Sequence, residues 1–197
     1  MKKRILDLVV SIVGIILLSP VFILLAIWIK SDSKGSVFYR QSRVGKDNRD
    51  FLLYKFRSMR LGADTQRLIT VGDRDSRITR SGYFIRKYKL DEFPQLFNVI
   101  KGDMSLVGPR PEVRKYVSLY TDDQLKVLRV KPGITDLASI KYRNESELLA
   151  LSKNPDETYV SEIMPEKLRL NIEYIDKQSF SYDIKLIFET ITSIIKD

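Results

Sequence analysis

The sequence predicts an α/β (α+β) chain: a compact, helix-rich domain carrying a short β-hairpin, preceded by an N-terminal re-entrant membrane helix kinked at Ser19-Pro20. Three observations carry this reading. Leu8 to Ile29 is a run of 22 residues without a charge, long enough as a helix to match a bilayer core of about 30 Å. Val37-Phe38-Tyr39 and Phe51-Leu52-Leu53-Tyr54-Lys55-Phe56 are β-prone runs on either side of Gly45-Lys46-Asp47-Asn48, a hairpin pattern. Several later segments repeat apolar residues at helical spacing. The chain therefore divides at residue 30 into a membrane helix (1–30) and a domain (31–197) ending in an amphipathic helix.

The membrane helix admits two topologies. A single spanning anchor needs only length. Against it, Ser19-Pro20 lies near the middle of the run, where proline removes a backbone donor and kinks a helix, and the Ser19 hydroxyl can take a freed carbonyl. Both flanks are also basic, with Lys2, Lys3 and Arg4 before the run and Lys30, Lys34, Arg40, Arg43, Lys46 and Arg49 after it. The positive-inside rule places both flanks in the cytoplasm, which a re-entrant helix provides and a crossing one does not. A cleaved leader is disfavoured because no small-x-small site follows the apolar run.

In the domain, Gly62 to Arg80 is polar and reads as a surface loop or short helix. Leu90, Phe93, Leu96, Phe97 and Ile100 form one helical face, closed by Gly102. Gly108-Pro109-Arg110-Pro111 is a stiff turn, Glu112 to Arg129 reads as a helix, and Lys131-Pro132-Gly133 breaks it. Asn154-Pro155 leads to a helix over Pro165 to Tyr174. From Ser181, the residues Ile184, Ile187, Phe188, Ile191, Ile194 and Ile195 form an apolar stripe that fits core packing or a membrane interface equally.

Composition narrows the chemistry. The 197 residues carry 34 Lys+Arg against 25 Asp+Glu, a net charge of +9, with no cysteine and no histidine. Disulfides, thiol nucleophiles, Cys/His zinc sites and imidazole bases are excluded. Carboxylates, hydroxyls and amines remain, with a hard metal ion. Neither G-x-G-x-x-G nor a P-loop is present. Asp73-Arg74-Asp75 has the form of an acidic metal motif, but among arginines it reads as a solvated loop. Arg86, Lys87 and Lys89 lead into Leu90-Asp91-Glu92-Phe93-Pro94-Gln95-Leu96. Adjacent acids at a helix start are ordinarily cap and dipole chemistry. Without histidine, a carboxylate is also the natural covalent nucleophile, kept ionised by nearby cations, and an adjacent acid can hold Mg²⁺ over phosphates.

The chain resembles the small monotopic phosphoglycosyl transferases of the bacterial sugar transferase family. The likeness runs through Lys3-Arg4-x-x-Asp7, Ser19-Pro20, Gln41-x-Arg43-x-Gly45, Tyr54-Lys55-Phe56-Arg57-Ser58-Met59 and Leu90-Asp91-Glu92-x-Pro94-Gln95-Leu96-x-Asn98-Val99. It continues through Lys101 to Pro111 and Lys131-Pro132-Gly133-Ile134-Thr135. The resemblance implies transfer of sugar 1-phosphate from a UDP-sugar to undecaprenyl (polyprenyl) phosphate, releasing UMP, in synthesis of a polysaccharide, O-antigen or glycoprotein glycan. It implies Asp91 as nucleophile, Glu92 as the Mg²⁺ ligand, and Lys55, Arg86, Arg110 and Arg143 as phosphate or nucleotide contacts. It further implies a bacterial inner-membrane protein with its active site on the cytoplasmic face, and downstream glycosyltransferases as candidate partners. Asp136 to Tyr142 departs from the family pattern, so sugar identity does not transfer; Asn144-Glu145-Ser146 is formally a glycosylation sequon. The competing reading is a membrane-anchored basic protein binding nucleic acid or anionic lipid. It lacks a nucleic-acid motif and leaves Asp91-Glu92 unexplained, so no nucleic-acid partner is expected.

Overall fold

The computed structural model describes residues 2–63, 71–72 and 75–195. Helix α1 (Lys2–Asp32) runs through Pro20 as one element of 31 residues, and among the described residues it alone is long and apolar enough to cross a membrane. The two arms expected at Ser19-Pro20 are joined without a break in the helix. Ser19 Oγ donates to the Ile16 carbonyl at 2.8 Å, the acceptor that the missing Pro20 N–H leaves open.

Two small sheets follow. Strands β1 (Phe38–Val44) and β2 (Asp50–Phe56) form the expected antiparallel hairpin, with Tyr39 opposite Lys55. β1 extends further than its apolar residues foretell because Arg40, Gln41, Ser42 and Arg43 continue the ladder. Its turn is closed by Asp47 and Asn48 in left-handed backbone, φ 57° and 61°, which these side chains tolerate. Strands β3 (Ser105–Val107) and β4 (Gly133–Thr135) form a parallel pair with no counterpart in the sequence reading.

Helix α2 (Arg80–Lys87) is capped by the Thr79 hydroxyl, which accepts from Gly82 N. The helix expected over Leu90 to Ile100 divides into a 3₁₀ turn, Leu90–Glu92, and α3 (Gln95–Lys101). Pro94 between them has no N–H to continue the ladder, and Gly102 ends α3 at φ 93°. The expected face also shifts: Gln95, Asn98 and Val99 are the fully buried residues of α3, while Phe93, Leu96 and Phe97 turn toward α1. Phe22 meets Phe93 and Phe97 at ring distances of 6.5 and 6.4 Å.

The long helix expected over Glu112 to Arg129 is instead α4 (Arg114–Val117) and a 3₁₀ turn, Gln124–Arg129. Between them, Thr121 N donates to Gln124 Oε1 and Gln124 N to Thr121 Oγ1, at 2.9 and 3.4 Å. This reciprocal cap starts a new turn in place of continuing the old one. Short helices α5 (Leu137–Lys141), α6 (Glu145–Ala150) and α7 (Pro155–Thr158) lead through a wide turn to α8 (Met164–Lys177), longer than expected at both ends. Helix α9 (Phe180–Ile195) divides its apolar residues. Leu186 is buried against Leu106, Val107 and Tyr174, whereas Phe180, Phe188 and Ile191 are exposed. Asp73 and Arg74 lie outside the described residues; Asp75 pairs with Arg77 at 2.6 Å.

Both ends of α1 are tied to this domain. Arg4 donates to the Val99 and Ile100 carbonyls at the end of α3, at 2.6 and 3.0 Å. Asp7, buried, accepts from Ser105 Oγ and Leu106 N at 3.1 and 3.0 Å. At the other end Leu25 and Ile29 pack on Phe56 and Ile85, and Asp32 accepts from Ser81 N and Oγ, each at 2.8 Å. The buried Arg57 guanidinium caps α1 by donating to Ile29, Ser33 and Lys34 carbonyls at 3.2, 2.7 and 2.7 Å.

Candidate active site

Asp91 and Glu92 occupy the 3₁₀ turn ahead of α3. The chain enters it through Lys89 at φ 54°, a left-handed conformation costing about 1–2 kcal/mol for a residue with a β-carbon. Such strain persists where its surroundings fix it, and here it reverses the chain after α2. Asp91 is 5% exposed.

Lys55 reaches this turn from β2. Its Nζ lies 3.2 Å from Glu92 Oε1 and 3.9 Å from Asp91 Oδ2. The position of β2 against α3 is set by Asn98, which acts as a ladder partner: its Nδ2 donates to the Leu52 carbonyl at 2.7 Å, and its Oδ1 accepts from Tyr54 N at 3.0 Å. Lys55 is the next residue.

Arg110 arrives from the Gly108-Pro109-Arg110-Pro111 turn. Nη1 is 3.2 Å from Glu92 Oε2, and Nη2 bonds Glu92 Oε1, a two-pronged grip on the carboxylate. Glycine is required at both crossing points beneath this turn. A β-carbon on Gly108 would stand 2.4 Å from the Lys131 carbonyl, and one on Gly133 would stand 2.1 Å from Gly108 N. The crossing is bonded by Gly108 N to the Thr135 carbonyl and Gly133 N to the Pro109 carbonyl, both 3.0 Å. Arg43 secures the far side, donating to the Pro111 carbonyl at 3.2 Å and pairing with Glu112 at 2.8 Å.

The electrostatics follow from this enclosure. Burial pushes the Glu92 carboxyl up, but Arg110 and then Lys55 outweigh it and hold it well below the usual carboxylate range. Burial pushes the Lys55 ammonium down, against the opposing pull of Glu92 and Asp91. Glu92 thus has both oxygens engaged by cations. The ion pair of Asp91 is the longer one to Lys55, which leaves its carboxylate uncommitted by comparison. A buried carboxylate with a lightly held oxygen, next to a cluster of two cations on Glu92, is a site suited to an electrophile such as a phosphoryl group.

The other two predicted cations also act on groups outside the carboxylate pair. Arg86 is half-buried on α2; its charge adds slightly to the Arg77 hydrogen bonds that hold the Asp75 carboxyl below its ordinary value. Arg143 bonds the Ser193 carbonyl near the end of α9. Asn98, Arg57 and Asp7 are the positioning residues that sequence reasoning left without a role. Their signal is a polar residue inside an otherwise apolar pattern. For the Mg²⁺ expected at Glu92, the donor type fits, since Mg²⁺ commonly takes one or two hard carboxylate oxygens with substrate phosphates and water; the ion would share the Glu92 carboxylate with Lys55 and Arg110. Among the described residues no cluster of three metal-ligating side chains occurs, so phosphate oxygens would complete the shell.

The scaffold is thus an α/β domain seated on an apolar helix, with an Asp-Glu pair whose Glu92 is gripped by cations beneath a glycine-proline turn. The chain belongs to the bacterial sugar transferase family, whose signature matches residues 1–197. It is 38% identical over 197 residues to a UDP-N-acetylgalactosamine-undecaprenyl-phosphate N-acetylgalactosaminephosphotransferase of Aeromonas hydrophila, covering 98% of this chain and 43% of that protein. It is 38% identical over 194 residues to a UDP-glucose:undecaprenyl-phosphate glucose-1-phosphate transferase of Klebsiella pneumoniae, covering 96% and 39%. A further relative, the uncharacterized sugar transferase EpsL of Bacillus subtilis, is 38% identical over 194 residues, with 98% of this chain and 87% of that one aligned. The chain therefore spans about two fifths of the first two relatives.

Proposed function

We propose that this chain transfers sugar 1-phosphate from a UDP-sugar to undecaprenyl phosphate, an early membrane step in polysaccharide synthesis. The observation that carries the reading is the uncommitted Asp91 carboxylate beside the Glu92–Lys55–Arg110 cluster, in a chain whose aligned relatives are named for this chemistry.

In the proposed mechanism an Asp91 carboxylate oxygen bonds to the β-phosphorus. The β-phosphorus–oxygen bond to UMP breaks, and its electron pair leaves with UMP. The lipid phosphate then attacks the same phosphorus, breaks the bond to Asp91, restores the carboxylate and yields polyprenyl-diphospho-sugar. Lys55 and Arg110 hold the phosphates and keep charge balanced in a site with little water. Arg86 and Arg143 are assigned to phosphate or nucleotide contact only if substrate binding brings them in. Glu92 would hold Mg²⁺, which would supply charge neutralisation at the diphosphate.

The membrane reading is that α1, within residues 1–30, enters and leaves the bilayer on one side, bent at Ser19-Pro20. The rest of the chain, 31–197, then lies on the cytoplasmic face of the inner membrane. Its support is that Lys3, Arg4 and Asp7 at one end and Ile29 and Asp32 at the other all bond the same domain. The exposed Phe180, Phe188 and Ile191 of α9 suit the interface.

The test is turnover by purified protein in detergent, with Mg²⁺, undecaprenyl phosphate and a panel of UDP-sugars. UMP and lipid-linked sugar phosphate in equal amounts are expected from one donor. Tight lipid or nucleic-acid binding without UMP from any donor would return the chain to the binding-protein reading.

A further inference from the structure

A second group of cations stands at the opposite end of α3 from Asp91. Gly102 closes that helix, and two nitrogens converge above it: Lys131 Nζ lies 3.4 Å, and Arg4 Nη2 3.5 Å, from the point a β-carbon on Gly102 would occupy. Like charges brought this close repel unless an anion joins them.

The two cations are held differently. Arg4 is oriented by the Val99 and Ile100 carbonyls, which engage two of the five N–H donors of a guanidinium and leave the others able to bond an anion. Lys131 is half-buried, and among the described residues no acceptor bonds its ammonium. Burial, then the Arg4 charge, push it below its ordinary pKa.

The neighbouring acids are committed elsewhere. Asp7 bonds Ser105 and Leu106, and Asp103 accepts from Asn98 at 3.2 Å. Lys46 adds a further positive field, while the nearby Lys101 ammonium donates to the Tyr54 hydroxyl at 2.6 Å. The charges that act on Lys131 are Arg4, Asp7, Lys46 and Asp103; those on Lys55 are Glu92, Asp91, Arg110 and Arg43. The two sets share no residue.

We propose that Arg4 and Lys131, over Gly102, form a phosphate site distinct from the carboxylate site, and that its occupant is the phosphate of an anionic lipid headgroup. The several oxygens of a phosphate can accept from both cations at once. A lipid is its source because Arg4 lies in the first turn of α1, four residues before the charge-free run begins at Leu8. That position is the headgroup level if α1 enters the bilayer there. The inference rests on the membrane placement of α1 and is independent of the chemistry at Asp91. The site would seat the start of the membrane helix by binding a lipid at the joint between α1, α3 and the Lys131-Pro132-Gly133 turn.

The experiment uses the full chain in a neutral detergent, titrated with short-chain phosphatidylglycerol, short-chain phosphatidylcholine or inorganic phosphate. Binding is read from the thermal unfolding midpoint, which rises with any ligand that prefers the folded state. Phosphatidylglycerol is expected to raise it where phosphatidylcholine at the same concentration does not. Lys131→Gln is expected to need about fivefold more phosphatidylglycerol for the same shift, the value of one cation at an anionic surface, while Lys131→Arg responds as wild type. Equal responses of wild type and Lys131→Gln, or of the two lipids, would overturn the site. A full response to inorganic phosphate alone, lost in Lys131→Gln, would overturn the lipid as its source. UMP release is assayed separately on the wild type. Its absence beside an intact lipid response would count against the transferase reading and leave this one standing.

Discussion

Strand β3 stands between two groups of buried charge. On its near side Lys3 donates to the Val107 carbonyl at 2.9 Å and pairs with Asp183 at 2.5 Å; Asp183 also accepts from the Tyr174 hydroxyl at 2.6 Å. Asp7 completes this group with its two bonds to β3. In the turn that follows the same strand stands Arg110, with Glu92, Lys55 and Asp91. In the first group the side chain of each acid takes two bonds from neighbouring elements, and the group holds α1 and α9 to the domain. In the second, Glu92 takes the strong bonds and Asp91 keeps one cation at 3.9 Å. Burying a carboxylate without close partners costs stability. A fold that gives Asp7 and Asp183 two close partners each, and Asp91 one distant cation, fits the proposed division between a structural site and a reactive one.

Substitutions can separate the two. The largest expected effect is on Asp91→Asn. Loss of a covalent nucleophile should reduce turnover by a factor on the order of 10³ or more, with thermal stability equal to or above wild type, because a poorly paired buried charge has gone. A large stability loss would place Asp91 with the structural group.

Asp7→Ala should do the opposite. It leaves the Ser105 hydroxyl and Leu106 N–H buried without acceptors, costing roughly 2–6 kcal/mol at about 1–3 kcal/mol each. Thermal unfolding in detergent measures it, and Asp7→Asn should recover part of the loss. A variant with unchanged unfolding would break the comparison from the other side.

Lys55→Met removes one cation and leaves Arg110 on Glu92. Substrate turnover at low concentration should fall about tenfold to a hundredfold, the worth of one charged hydrogen bond, and Lys55→Arg should recover some of it.

The smallest effect concerns acid. Hydrogen bonds from Ser81 N, opposed by burial and joined by the Ser81 hydroxyl, hold the Asp32 carboxyl below its ordinary value. A depressed carboxyl contributes stability that is full above the ordinary carboxylate range and is lost as pH falls through the folded value. Unfolding midpoints followed downward from pH 5 should therefore fall more steeply in wild type than in Asp32→Asn. Parallel curves would remove Asp32 from the anchor of α1.

Much of the candidate site was legible because its members sit beside distinctive local signals. Asp91 and Glu92 follow a basic run, Lys55 interrupts an apolar strand, and Arg110 lies between two prolines in a glycine-led turn. Their convergence on one carboxylate depends on Asn98 and on the Gly108–Gly133 crossing, and neither the side-chain ladder bond nor the close approach has a periodic signature. Arg86 and Arg143 carry the same charge as Lys55 and Arg110 but project from α2 and from the loop after α5, a difference that only tertiary structure assigns. Among the elements, the hairpin and the N-terminal helix were legible from apolar runs. The pair β3–β4 was not, since strands of three residues are too short for alternation to register. The break in the region after Glu112 was written in Thr121-x-x-Gln124, a capping signal overruled by the apolar spacing around it. The two-sided α9 was readable as a stripe, but which side meets the core is decided by the buried Asp183 and Leu186.

The central claim is that Asp91 is kept uncommitted so that it can bond to phosphorus. The most direct measurement is the intact mass of the full chain in detergent with Mg²⁺ and the donor that supports turnover, with no lipid acceptor. The account predicts one sugar-phosphate increment per chain, released UMP in equal amount, and neither in Asp91→Asn. Turnover with acceptor present, but no increment and no UMP without it, would contradict the covalent role and make Asp91 a base for direct transfer.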